Sequence, residues 1–216
     1  RTSDFGIAYS SEKNSLRFDL SYFQTNHDHK IVEEKLASGE YTYTNANKSN
    51  MKGIELMSSF NLGQFLPGKP ELEAYTNFTW ILKNDFQQLA GAEMLTRDMQ
   101  YVRKANGNFG LSYRRDKINM RLNSRYIGSR LERDSFSSLR TGIAAANYYA
   151  EGGYKATDKI LEHPEYLLFD YSVNYAYSKH VDFGITVSNL LDENYSEKDG
   201  YNMPGRSIVA KLAYKF

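Results

Sequence analysis

Cysteine is absent from this 216-residue chain, proline occurs only 4 times, and no apolar run approaches the length of a membrane helix. The first absence excludes disulfides, thiolate chemistry and cysteine-based zinc sites. Scarce proline beside plentiful Gly, Ser, Thr and Asn fits a chain of strands with few helices. A helical span needs about 20 predominantly apolar residues, so none is expected. Neither sign of charge is in excess: 27 Lys and Arg against 26 Asp and Glu leave a formal net charge of +1. A domain that grips phosphate backbones carries a clear basic surplus, so nucleic acid is not an expected partner. No leader is expected within these residues, which open on RTSDFGIAYS, already strand-like. An exported protein starting this way is either mature or incomplete.

What the chain has is tyrosine, phenylalanine and alternation. Aromatics make up 14% of the residues, with 18 Tyr and 12 Phe against one Trp. In the final stretch PGRSIVAKLAYKF, the apolar residues Ile208, Ala210, Leu212, Tyr214 and Phe216 alternate with Ser207, Val209, Lys211, Ala213 and Lys215. One face is greasy, the other wetter, and the chain ends on an aromatic. The mean hydropathy of −0.62 is compatible with a membrane protein, because barrel strands alternate lipid-facing and lumen-facing residues and average to a polar score. Period-2 reading gives about nine such segments. They are centred on residues 5–9, 16–22, 54–60, 72–80, 108–114, 118–123, 167–177, 181–188 and the C-terminal stretch. None has a sustained helical period.

Connection lengths alternate as well. Short polar turns are predicted at 11–15, 115–117 and 178–180, with a longer one at 61–70. Wide loops are predicted at 32–41, 84–100, 130–164 and 192–203. All the wide ones therefore fall on one side, which is the asymmetry of an outer-membrane barrel with short periplasmic and long extracellular connections. A soluble sandwich explains neither that asymmetry nor polar faces so rich in Asn, Arg, Asp and Glu. The expected fold is all-β, a transmembrane antiparallel up-and-down β-barrel. Bacterial single-chain barrels have even strand counts, so nine segments point to strands upstream of residue 1.

Residues 187–216, VSNLLDENYSEKDGYNMPGRSIVAKLAYKF, carry a family resemblance. The stretch Asn189-Leu190-Leu191-Asp192 followed by Tyr195, then Pro204-Gly205-Arg206 and a terminal Phe216, resembles the C-terminus of TonB-dependent outer-membrane receptors. Residues 16–60, with Gly53-Ile54-Glu55 after an extended strand and loop, are similar to the same family's mid-barrel. The resemblance implies that residues 1–216 are about nine C-terminal strands of a 22-stranded barrel, with the plug domain and upstream strands lying outside them. It also implies a function: import of a ferric siderophore or a related metal chelate, such as cobalamin or haem, with TonB energy coupling. The implied partners are outer-membrane lipid, the barrel-assembly machinery, the receptor's own plug, the TonB complex and a metal-chelate ligand. The alternative is a small self-contained barrel acting as passive pore, adhesin or enzyme.

Candidate site residues follow from position. In the longest loop, Tyr148, Tyr149, Tyr154 and Arg140 combine rings and positive charge suited to an anionic, ring-bearing ligand. Arg114, Arg121 and Arg125, interleaved with Asn108, Asn119 and Asn123, form an expected lumen-facing row that contacts a plug. Phe216, Tyr214 and Leu212 are the expected assembly signal. His27 and His29 share a face if the strand is regular, but no third ligand is evident, so no metal site and no cofactor are assigned. Catalysis has little support, since no nucleophile-elbow pattern occurs and the four histidines lie in unrelated segments.

Overall fold

A single twisted sheet carries almost the whole chain in a computed structural model, which describes residues 1–11, 15–35, 38, 40–90, 93–136, 153 and 159–216. Its strands are β1 (Thr2–Ser10), β2 (Leu16–Lys35), β3 (Tyr41–Asn61), β4 (Glu71–Ala90), β5 (Glu93–Asp98), β6 (Ala105–Arg115), β7 (Ile118–Ile127), β10 (Tyr166–Ala176), β11 (Val181–Ser188) and β14 (Ser207–Tyr214). Two short hairpins stand apart, β8 (Arg130–Arg133) with β9 (Ile160–His163), and β12 (Ser196–Lys198) with β13 (Tyr201–Asn202). The sheet order is β1-β2-β3-β4-β6-β7-β10-β11-β14, nine strands in chain order, with β5 paired to β4. Every pairing is antiparallel. The sheet does not close on itself, because β1 and β14 lie at opposite ends of this order.

Register makes one face largely apolar across the strands. The row Leu16–Phe60–Ala74–Leu111–Leu122–Tyr171–Val187–Ile208 crosses eight strands without a polar side chain other than a tyrosine hydroxyl. One residue along, Asn61–Glu73–Ser112–Arg121–Ser172–Thr186 is polar across six strands. A one-residue slip would exchange the two faces, so the alternation itself specifies the register. Nothing in the described residues covers the apolar face. Phe5 is 71% exposed, Ile7 70% and Leu212 69%. The soluble sandwich requires the Leu167–Val173 and Val181–Val187 rows to pack across a dry core. They are instead strand neighbours on one face, with Tyr171 beside Val187 and Val173 beside Ile185. Dry packing occurs elsewhere. Among the described residues the buried apolar side chains are Pro70 at the turn end and Met99, Ala105, Leu131, Ile160, Tyr166 and Leu168 at the wide-connection end.

The turn end is as expected, except that 61–70 contains a 3-10 turn at Leu62–Phe65, capped by Asn61 Oδ1 accepting from the Gly63 amide at 3.0 Å. The other end differs from the sequence expectation. Residues 84–100 are largely strand, with β4 and β5 forming a hairpin there, and 32–41 is strand at both margins, since β2 runs to Lys35 and β3 starts at Tyr41. The 130–164 and 192–203 loops each rest on a short hairpin. The reason is physical. β2 and β3 span 20 and 21 residues, about 65 Å at 3.3 Å per residue, whereas an apolar belt is about 25 Å tall. Beyond the belt both faces are wet, and the period-2 signal disappears while the ladder continues.

Candidate functional site

On the polar face the three arginines occupy the predicted rows but different surroundings. Arg121 lies over the Tyr75 ring at 5.4 Å, and the Tyr75 hydroxyl donates to Asn123 Oδ1 at 3.0 Å. The ring reaches Asn123 by crossing Gly110, where a Cβ would sit 2.6 Å from the Tyr75 oxygen and 2.4 Å from the Leu122 carbonyl. Only glycine leaves room for that ring. Arg114 meets Glu71 at 3.4 Å, with both side chains largely exposed, an arrangement that contributes little stability. Arg125 points its charge toward Glu197 of β12 at 3.9 Å. The row therefore divides: one end serves the wide loops and the other lies near the turns.

The wide-loop end is knotted together by buried polar groups. Glu132 on β8 is 1% exposed. Its Oε2 accepts from Arg130 Nε at 2.9 Å and Nη2 at 2.7 Å, while Oε1 accepts from the Asp199 amide at 2.8 Å. Arg130 Nη2 also donates to the Glu197 carbonyl at 2.7 Å. His163 on β9, equally buried, has Nε2 at 3.1 Å from Ser196 Oγ and Nδ1 at 3.2 Å from Arg103 Nη1. Arg103 further donates to the Gly128 carbonyl at 3.0 Å. The β12–β13 hairpin is thus clamped onto the β8–β9 hairpin. Burial pushes the His163 pKa below its ordinary 6.5, and Arg103 and Arg130 push the same way against Glu132. Glu162 shows the opposite balance: burial alone would raise its pKa, but hydrogen bonds from Lys104 at 2.8 Å and Ser129 at 2.6 Å hold it low.

Tyr148, Tyr149, Tyr154 and Arg140 lie outside the described residues. The stem beneath them is described, and two tyrosines from neighbouring connections join it. Arg133 Cζ stands 4.5 Å from the Tyr41 ring centroid. Arg130 lies 5.8 Å from the Tyr101 ring, and the Tyr101 hydroxyl oxygen accepts from the Arg133 amide at 3.4 Å. Tyr101 is 53% exposed at φ 61. Sequence reading passed over Tyr41 and Tyr101 because both lie outside the longest loop, where the candidate rings were sought. His29 has φ 60, so the regular strand geometry that would bring His27 and His29 to one face is broken there.

The C-terminal motif proves to be turn machinery. Asn189, buried at φ 50, donates through Nδ2 to the Glu193 carbonyl and accepts through Oδ1 from the Glu193 amide, both at 2.8 Å. Asp192 Oδ1 accepts from the Arg206 amide at 2.7 Å, which ties the start of the last wide loop to the entry of β14. On β14, Leu212 pairs with Phe183 and Tyr214 with Val181. Phe216 packs edge-on against Tyr214 with centroids 5.2 Å apart.

The family described as TonB dependent receptor-like, beta-barrel, matches residues 1–190. The chain belongs to this family. The match stops inside the C-terminal motif, so TonB-dependent receptor membership rests on the body of the sheet and not on the terminal aromatic. Three solved structures show the same fold over 100% of the chain. The unliganded ferric citrate transporter FecA gives a TM-score of 0.69 at 17% identity, with the chain covering 31% of it. The siderophore receptor PiuA from Acinetobacter baumannii gives 0.68 at 16% identity and 28% coverage. The copper transporter OprC gives 0.64 at 16% identity and 31% coverage. The chain therefore spans under a third of the length of these three structures. The family consists of outer-membrane β-barrel receptors and transporters of Gram-negative bacteria, not enzymes.

Proposed function

We propose that residues 1–216 form the C-terminal wall of a TonB-dependent transporter that takes up a metal chelate, with a ferric siderophore the leading class. The observation that carries this reading is the one-sided architecture. An open sheet bears one apolar and one polar face, and every wide connection lies at the end where Arg133, Tyr41, Arg130 and Tyr101 pair cations with rings. Such pairs suit an anionic, aromatic-bearing chelate. The unclosed sheet and the coverage of about three tenths of the matched structures support a longer receptor with a plug and upstream strands. In that receptor the polar face lines the lumen, Arg121 and Arg114 meet the plug, TonB couples through the upstream part, and Phe216 with Tyr214 and Leu212 presents the assembly signal.

Two measurements test this. The native polypeptide extracted from outer membranes should have a mass about three times the 24.9 kDa of this chain; a mass near 24.9 kDa would favour a self-contained barrel. In the full-length protein, Arg133→Ala with Tyr101→Ala should weaken ferric-siderophore binding tenfold or more by fluorescence quenching. Unchanged affinity would remove this surface from the ligand path.

A further inference from the structure

The two short hairpins at the wide-connection end meet on one imidazole ring. His163 of β9 is 1% exposed, and its Nε2 stands 3.1 Å from Ser196 Oγ of β12. Its Nδ1 has two neighbours of opposite chemistry, Arg103 Nη1 at 3.2 Å and the Pro164 carbonyl oxygen at 3.1 Å. A guanidinium only donates and a carbonyl only accepts. Arg103 can therefore bond Nδ1 only while that nitrogen is bare, which puts the ring hydrogen on Nε2 and makes it a donor to Ser196. A proton on Nδ1 reverses the choice. The new N–H donates to Pro164, and Arg103 is left facing another donor. Charge acts in the same direction. The neutral ring already feels Arg103 and Arg130, and among the described residues Glu132 is the carboxylate that acts on it. Glu132 is itself engaged, by Nε and Nη2 of Arg130 and by the Asp199 amide. The other charged groups packed here have partners of their own. Glu162 of β9 accepts from Lys104 and Ser129, and Glu197 of β12 lies 3.9 Å from Arg125 of β7. Tyr166 of β10 has its ring centroid 5.8 Å from Arg103. A charged ring would set three cations around one carboxylate.

We infer that His163 is a proton-operated latch, holding the β12–β13 hairpin against the β8–β9 hairpin while neutral and releasing it when protonated. The two guanidiniums that a charged ring repels are the ones that hold the hairpin. Arg130 Nη2 and Arg103 Nη2 both donate to the Glu197 carbonyl, at 2.7 and 3.4 Å. Displacing them frees β12, even though Nε2 keeps Ser196. Arg130 also lies 5.8 Å from the Tyr101 ring, so the opening reaches the cation–ring surface proposed for the ligand. Burial, with the two arginines, holds the His163 pKa below its ordinary 6.5. The latch is therefore closed at neutral pH and yields in acid. The inference rests on the receptor reading proposed above only in placing this end outside the cell; the latch itself rests on the contacts of His163.

The test uses the full-length receptor in detergent, with spin labels on Lys159→Cys and Lys198→Cys, one beside each hairpin. Both side chains are exposed, and residues 1–216 contain no cysteine of their own; any upstream cysteine is first replaced. Double electron–electron resonance should give one narrow distance at pH 7.5 and a second, longer population at pH 5, reversed on return to pH 7.5. His163→Gln, which takes no charge, should remove the acid response. Arg103→Gln takes away one of the repelling cations, so its transition should begin at a higher pH than that of the wild type. A distribution that acid leaves unchanged in the wild type overturns the latch. So does a response of equal size and midpoint in both variants, which would place the titrating group elsewhere. Heat-modifiable gel mobility reports folding of each variant. The measurement needs no ligand, so its failure leaves the transport reading untouched. A wild-type protein recovered without detergent overturns the outer-membrane reading instead, and leaves the latch standing.

Discussion

Single side chains decide which face is which. Ile185, 47% exposed between Val173 and Ala210, stands on the apolar face, while Thr186 next to it stands on the polar one. Ile185→Lys should cost about 2–4 kcal/mol if its depth is near the bilayer midplane, and Thr186→Lys much less. Denaturant unfolding of the receptor in lipid vesicles measures both; equal costs would contradict the assignment of faces. Gly110 is the second such position. A methyl group there collides with the Leu122 carbonyl and the Tyr75 hydroxyl, so Gly110→Ala should destabilise by about 1–3 kcal/mol, the usual cost of overpacking. The clash removes the Arg121–Tyr75 stack as well, so a Tyr75→Ala background should reduce the penalty. Alternation showed which residues point each way, but not that Tyr75 crosses its neighbour. That depends on an absent side chain one strand away.

At the level of elements, the two short hairpins at the wide-connection end act as a clamp. Glu132→Ala would leave Arg130 buried without its carboxylate, a loss worth about 3–5 kcal/mol for a broken buried pair. Hydrogen exchange at 196–202 should accelerate strongly, while exchange in β6 and β7 stays slow. Glu132→Gln keeps an acceptor for the Asp199 amide and should fall between. Acid should loosen the same contact. The folded-state pKa of His163 is depressed, so the unfolded state binds the proton more readily below about pH 6.5. The His163 contribution is complete above that pH and is lost as pH falls through the lowered value. Protection factors at 196–202, which correct exchange for its intrinsic slowing in acid, should fall between pH 7.5 and 5 in wild type, with a smaller change in His163→Gln. None of this was legible in the sequence. Glu132, His163, Arg103 and Ser196 lie 29 to 93 positions apart, and each reads alone as an ordinary polar loop residue. The Asn189–Asp192 motif was legible as a pattern, yet its work of bridging to Arg206 appears only when the turn is folded.

For the molecule as a whole, the proposed receptor reading makes an open sheet with one apolar face dependent on a bilayer and on further strands. Removing Phe216 should lower the amount of receptor in the outer membrane severalfold without changing ligand affinity per folded molecule. Immunoblotting of membrane fractions beside a binding titration separates those effects; a change in affinity alone would argue against an assembly role. The same scale explains why cargo stays at the level of a class. FecA, PiuA and OprC share this fold at 16–17% identity while carrying different names for what they take up. On the proposed reading the sheet supplies the wall, and recognition belongs to the loops above it.

By itself the sequence determined the nine strands of the main sheet path, the faces, the side on which the wide connections lie and the family. These come from a period of two and from connection lengths, both local properties of an extended chain. Tertiary structure decided how far the strands continue above the belt, which buried groups clamp the hairpins, and which donor and acceptor meet at His163 Nδ1. Those outcomes depend on pairing between residues far apart in the chain. Hydrogen-bonded ladders extend through wet, patternless sequence, and a buried polar group finds its partners only once separate hairpins meet.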